Sequence, residues 1–266
     1  MPRFAANLSM MFTEVPFLER YEKAAKAGFT AVEYLLPYAF SVEEVAAPLA
    51  KYNLKQALFN MPAGAWDQGE RGIAAIPGRE AEFEISLEIA LEYAKATNVP
   101  IVHCMAGYPF KNTDGSKGAD PVEAERVYKA NIAKAADFFA PHGITVGIEP
   151  INQRSMPGYF LRTINQAVGY IEELGRPNLK VQFDFFHVQM EEGCVALKLR
   201  ENYKHVCHCQ LASAPDRNEP DRGELNYDYI YKVVDELGYP GYIGCEYNPA
   251  NGTEAGLGWF APYKGK

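Results

Sequence analysis

Short apolar runs alternate with longer amphipathic stretches along almost the whole chain. The strand-like runs are Phe4–Leu8, Ala31–Tyr34, Lys55–Phe59, Ile101–Met105, Thr145–Glu149, Val181–Asp184, Val206–Leu211 and Tyr242–Glu246. Between them a helical period marks Pro16–Ala27, Ser41–Tyr52, Glu80–Thr97, Pro121–Phe139, Thr163–Leu174 and Tyr227–Leu237. Gly28, Gly143 and Gly238 precede the next strand, where a helix is expected to stop. Eight strands over 266 residues give roughly 33 residues per unit, the period of a (β/α)8 barrel. The rival doubly wound sheet carries a glycine-rich turn after its first strand. Here that strand runs into Asn7-Leu8-Ser9-Met10-Met11, and Gly256-Leu257-Gly258 comes too late for a dinucleotide loop. The expectation is an α/β chain forming a single TIM barrel over residues 1–266.

One connection is too long for a plain barrel loop. Asn60 to Arg79 separates the third strand from the next helix, on the face where barrel active sites lie. A functional lid is the expectation.

Strands five to eight end Gly147-Ile148-Glu149, Gln182-Phe183-Asp184, His208-Cys209-Gln210 and Gly244-Cys245-Glu246. Each closes an apolar run with an oxygen-bearing side chain at the C-terminal rim. Alternation supports the facing: with Glu149 inward, Ile148 and Val146 turn to the helices, and with Glu246 inward, so do Cys245 and Ile243. Three carboxylates at one rim repel unless a cation sits among them. Carboxylates plus an amide oxygen suit one Mg2+ or Mn2+ rather than Zn2+. His187 and Arg217 lie on the loops after strands six and seven, and His103 lies on strand four. Cys207-His208-Cys209 imitates a metal triplet, but alternation turns both cysteines away from Gln210 into the helix layer.

Composition narrows the class. The net charge is −8, from 26 basic and 34 acidic residues, which disfavours a nucleic-acid partner. No apolar run is long enough for a membrane helix and no signal peptide is evident. Five cysteines, an odd number, do not make a secreted disulfide framework, so the cytoplasm is the expected compartment. No Gly-x-Ser-x-Gly elbow, His-Glu-x-x-His helix or P-loop occurs.

A longer set of motifs adds to this reading. It comprises Arg3-Phe4-Ala5-Ala6-Asn7-Leu8-Ser9-Met10, Gly69-Glu70-Arg71-Gly72, Pro77-Gly78-Arg79-Glu80, Ile148-Glu149-Pro150-Ile151-Asn152, Asp184-Phe185-Phe186-His187, Gly223-Glu224-Leu225-Asn226-Tyr227 and Gly244-Cys245-Glu246-Tyr247. With these the chain resembles, nearly end to end, the hydroxypyruvate isomerase family of xylose-isomerase-like, metal-dependent TIM barrels. The resemblance implies Glu149, Asp184, Gln210 and Glu246 as metal ligands, with Glu149 and Glu246 also as the acid/base pair. His187, Arg217, Asn7, Asn152 and His103 are expected to contact the substrate.

The expected reaction moves a carbonyl between adjacent carbons through an enediolate, interconverting hydroxypyruvate and tartronate semialdehyde. A four-carbon 2-oxo-tetronate is the alternative substrate. Glu14-Val15-Pro16-Phe17 and Ala214-Pro215-Asp216-Arg217 look more like 2-oxo-tetronate isomerases, and Asp216 stands where many hydroxypyruvate isomerases have histidine. Two other classes stay in view: a sugar-acid-binding barrel without chemistry, and a multi-zinc phosphatase or endonuclease, which would want more histidines than the five here. The expected partner is a small hydroxy-oxo acid, with room for a homo-oligomer.

Overall fold

The structure, a computed structural model, describes residues 1–110 and 118–266. Its strands are β1 (Arg3–Asn7), β2 (Ala31–Tyr34), β3 (Lys55–Asn60), β4 (Ile101–His103), β5 (Thr145–Ile148), β6 (Leu179–Asp184), β7 (Val206–Leu211) and β8 (Tyr242–Cys245). They pair in chain order into a closed barrel, and β1 meets β8 in parallel register, Ala5 beside Gly244. The expected barrel is the observed one. Around it run α1 (Phe17–Ala27), α2 (Val42–Lys51), α3 (Glu80–Thr97), α4 (Pro121–Phe139), α5 (Ile164–Leu174), α6 (Phe185–Glu191), α7 (Val195–Asn202), α8 (Tyr227–Glu236) and the single turn α9 (Thr253–Gly256).

Local chemistry explains the helix ends. Ser41 and Glu44 form a reciprocal capping box at the start of α2. Asp120 caps α4, whose first residue is Pro121. The buried residues of α4 (Ala124, Val127, Tyr128, Asn131, Ile132, Ala135, Ala136 and Phe139) recur at helical spacing and face the barrel.

The two walls of the barrel differ. Outward residues pack into the helix layer: the Phe4 ring centroid lies 5.4 Å from that of Tyr231, and Tyr34 lies 5.5 Å from Phe17. Inward residues are small at one end, where Ala5, Ala31 and Ala57 cluster, and polar at the other. The apolar layer outside therefore provides most of the hydrophobic stabilisation, while the inside is left for polar groups.

The structure departs from sequence expectation in three places. The residues after Asp184 form two short helices, α6 and α7, which the helical period does not predict. Asp184 serves double duty, ending β6 and capping α6 by accepting from the Phe186 N–H, so the apolar Phe185-Phe186 continues a helix rather than the strand. Glu149 and Glu246 stand one residue beyond β5 and β8, which stop at Ile148 and Cys245. Finally, Cys207 does not turn into the helix layer. The β6–β7 register shifts between Val181 and Gln182, so Val206 and His208 are the partners and Cys207 is the extra residue. Its Sγ lies on the inner wall, 3.6 Å from where a Cβ on Gly147 would stand. Cys209 faces outward as expected and belongs to the apolar core.

The long connection is tied down rather than loose at its far half. Gly72 bridges Ala106, the Ala75 N–H donates to the Ala106 carbonyl at 2.8 Å, and Asn131 Nδ2 donates to the Ala74 carbonyl at 2.9 Å. The Arg71 guanidinium lies 3.8 Å from the Trp66 ring centroid. Gly72 has φ +112°, and an added Cβ would collide with the Met105 carbonyl. Gly72→Ala should therefore lower unfolding stability by about 2–4 kcal/mol through strain and backbone collision together. Gly78→Ala (φ +85°, open space around it) should cost only about 1 kcal/mol. Urea midpoints of the two variants test this, and equal losses would contradict the close approach.

Candidate active site

At the polar end of the barrel Glu33, on β2, is fully buried. Its Oε1 accepts from Asn7 Nδ2 at 3.0 Å and Gln210 Nε2 at 2.8 Å, and its Oε2 lies 2.6 Å from His208 Nε2. Gln210 in turn accepts from Gln182 Nε2 at 2.6 Å. Asn7 and Gln210 thus belong to a hydrogen-bonded floor around Glu33. The floor fixes the Gln210 amide with its Oε1 away from Glu33, and one lone pair of that oxygen remains beyond the bond from Gln182. Glu33 is absent from the residues singled out by sequence, although its signal is the one used at strands five to eight: a lone acid on the inward face of an apolar strand.

Above this floor Glu149, Asp184 and Glu246 converge. Asp184 Oδ1 accepts from the Phe186 N–H at 2.7 Å, but its Oδ2 has no partner. Glu149 Oε1, equally buried, has none either. Burial, above all, raises the Asp184 carboxyl to about 6 against the pull of Arg217. Burial pushes Glu246 up to about 8, with Arg217 opposing and Asp184 and Glu33 adding to the rise. Glu149 lies well above its ordinary range, first through burial and then through Glu246 and Asp184.

Arg217 is the cation among them. Its guanidinium donates to Glu246 Oε1 at 2.9 Å, lies 3.7 Å from Asp184 Oδ2 and sits 5.0 Å from the Phe186 ring centroid. Its Nε is buried without a partner. His187 Nε2 approaches Asp184 Oδ2 at 3.8 Å and Glu149 Oε1 at 4.0 Å, and His103 Nε2 lies 3.7 Å from Glu149 Oε2. Burial drives the His103 imidazole down to about 3, and burial followed by Arg217 lowers His187 well below its usual value, both shifts favouring the neutral ring. Asn152 is fully buried beneath His187 with its amide engaged. The structure therefore brings Glu149, Asp184, Glu246, His187, Arg217 and His103 around one space and puts Asn7, Gln210 and Asn152 against its walls.

This donor set fits a divalent cation. Glu149, Asp184 and His187 each offer a ligand atom within 4.8 Å of the others, and two of those residues carry the partnerless oxygens. Buried carboxylate oxygens with nothing to accept from are costly unless protonated or neutralised by a cation. Cys207, His208 and Cys209 form no comparable group among the described residues.

With this geometry in hand, the chain can be compared with known proteins. The sequence profile of the xylose isomerase-like TIM barrel family matches residues 21–263. The 2-oxo-tetronate isomerase of Cupriavidus necator is 50% identical over 266 residues, the whole of both chains. The hydroxypyruvate isomerase of Escherichia coli is 42% identical over 264 residues, 99% of this chain and 100% of that one. A crystal structure from Brucella melitensis, described as an AP endonuclease of family 2, superposes with a TM-score of 0.95 at 50% identity, covering 99% of this chain and 100% of that one.

The raised carboxyls give a signed pH dependence. Between about pH 6.5 and 8, folded Glu246 holds a proton that the unfolded chain, with an ordinary carboxyl near 4.5, has released. Unfolding then releases protons, so metal-free stability should fall as pH rises, by on the order of 1 kcal/mol per pH unit per such proton. Below that window the depressed histidines act in the opposite sense. Thermal melts of EDTA-treated protein should show Tm dropping from pH 6.5 to 8, and saturating Mn2+ should remove the slope. A flat or rising metal-free Tm there would mean the carboxyls are already ionised.

Proposed function

The chain belongs to the xylose isomerase-like TIM barrel family, and we propose that within it the protein is an isomerase of small hydroxy-oxo acids that moves a carbonyl between C2 and C3. The observation that carries this reading is the pair Glu149 and Glu246, two buried carboxyls with raised proton affinity at the ends of β5 and β8, sharing a space with Arg217 and His187. Groups that hold a proton near neutrality are suited to taking one and returning it. Taking the C3 proton with one glutamate and delivering a proton to C2 with the other, while the hydroxyl proton passes from O3 to O2, converts 2-oxo-3-hydroxy acid into 3-oxo-2-hydroxy acid with no net gain or loss of atoms. The species between is an enediolate.

When bound, a divalent cation, Mg2+ or Mn2+ on this donor chemistry, would stabilise the negative charge that develops on the substrate's oxygens. Glu149, Asp184, Glu246 and the remaining lone pair of Gln210 Oε1 are the groups that would hold it. Arg217, with an unpartnered Nε, is placed to bind the substrate's carboxylate through its planar fork. His187 and His103, both buried and with lowered proton affinity, line the sides of this space.

Three- and four-carbon acids undergo the same C2–C3 exchange and differ by one CHOH unit. The higher identity to a 2-oxo-tetronate isomerase supports the four-carbon acid as preferred substrate, ahead of the hydroxypyruvate expected from the sequence. A pocket discriminates one such unit by about 1–3 kcal/mol, so both acids are expected to turn over. Purified protein loaded with Mn2+ should isomerise both, EDTA should abolish turnover, and Glu246→Gln should lower kcat by about 10²–10⁴-fold while keeping the fold. Inactivity of the loaded protein on every three- and four-carbon oxo acid would refute the reading. Cleavage of abasic DNA, with several tightly held zinc ions, would replace it with the activity named for the Brucella relative.

A further inference from the structure

His187 is one of three side chains whose ligand atoms cluster closely enough for a metal ion. The hydrogen bonds behind its ring decide whether it can take that role. Asn152 lies beyond the end of β5 and is fully buried. Its Oδ1 accepts from two backbone N–H groups, Arg154 at 3.1 Å and Ser155 at 2.8 Å. An amide NH2 cannot stand opposite two N–H donors, so the orientation of this side chain is fixed. Its Nδ2 therefore faces His187 Nδ1, at 2.6 Å, and the Asn152 backbone N–H points at the same nitrogen from 3.4 Å.

We propose that Asn152 is a positioning residue that locks His187 as the Nε2–H tautomer, so that this imidazole donates a hydrogen bond into the active site and does not ligate the cation. Two donors converge on Nδ1, so Nδ1 accepts and the neutral ring carries its proton on Nε2. That N–H stands 4.0 Å from Glu149 Oε1 and 3.8 Å from Asp184 Oδ2, beyond hydrogen-bond reach of either. It is directed at the intervening space, where a substrate oxygen would complete it. A protonated ring nitrogen has no lone pair for a metal, so of the three clustered groups only the two carboxylates can ligate.

His103 meets a different neighbour. Its Nδ1 lies 3.2 Å from Asn60 Oδ1, and Asn60 Nδ2 is turned to the Met105 sulfur at 3.4 Å. Among the described residues no pair of backbone N–H groups holds the Asn60 amide, so this contact does not set the His103 tautomer as Asn152 sets that of His187.

The role of His187 as a donor to substrate rests on the isomerase reading above, but its tautomer does not. Two-bond 1H–15N spectra of histidine-labelled, EDTA-treated protein read the tautomer directly, with the His187 signals identified by their loss in His187→Gln. Wild type should show a protonated Nε2 and a bare Nδ1, and a protonated Nδ1 would overturn the proposal. Asn152→Asp puts an acceptor where Nδ2 stood and should move the proton to Nδ1. The bared Nε2 should then raise affinity for Zn2+ relative to Mg2+ by about tenfold or more, since imidazole nitrogen favours the softer ion, and lower kcat by about tenfold or more. An Asn152→Asp protein that melts like wild type yet keeps the Nε2–H pattern and its metal preference would also overturn it. Should the protein prove inactive on every oxo acid, the wild-type spectrum still decides the tautomer.

Discussion

Four carboxylates, Glu33, Glu149, Asp184 and Glu246, are buried inside one barrel, and the rest of the interior is arranged around that crowding. Charges of one sign in a low-dielectric space repel strongly and cannot be left without partners. The chain treats the four unequally. Glu33 is saturated: two amides bond one oxygen and an imidazole lies against the other. Even the backbone makes room, because a side chain at Gly244 would collide with the Glu33 carboxylate. Of the three carboxylates above it, Asp184 and Glu246 contact one guanidinium, and Asp184 and Glu149 keep partnerless oxygens. Incomplete compensation is what makes that upper group chemically active, since it must hold protons, a cation or a charged substrate.

Such an interior is tolerable because stability comes from elsewhere. The strands bury their outward residues against helices, and aromatic side chains such as Phe4, Tyr34 and Phe59 fill that layer. The inner wall is then free to be small at its foot, where three alanines meet, and polar at its mouth. Mouth residues stand at or just past strand ends and are held by the turn or helix that comes next. Asp184 is fixed by capping α6, while Arg217, a non-glycine residue at φ +57°, has its carbonyl bonded by the Asn248 N–H at 2.8 Å. An arginine anchored in this way loses little further freedom on meeting a ligand.

Much of this is legible in the sequence because the two governing periods are local. Strand–helix alternation predicts the barrel, and the alternation of facing within a strand puts Glu149, Asp184 and Glu246 at one rim. The same rule applied to Ala31-Val32-Glu33-Tyr34 points Glu33 inward, but attention to the last strand positions alone passes over it. Where alternation itself breaks, at the bulge beside Cys207, inference from it fails, because one inserted residue reverses which wall a side chain joins. Helices α6 and α7 are hidden for a related reason: an aspartate that ends a strand and caps a helix leaves no gap between the two.

What no single-strand pattern carries is the orientation of atoms within a side chain. Asn7 and Asn152 read in the sequence as groups that touch substrate, and both are polar residues near the right end of the barrel. In the fold each has its amide committed, Asn7 to Glu33 and the Ser9 N–H, Asn152 to His187 and two backbone N–H groups. Those commitments join β1 to β2 and the β5 loop to α6, pairs of segments that a linear reading treats independently. The distinction matters chemically, because a neutral histidine presents either a donor or a lone pair, and only its neighbour's amide decides which. Sequence therefore identifies which residues gather at this end of the barrel, whereas the fixed amide of Asn152 against His187 depends on contacts between the β5 loop and α6.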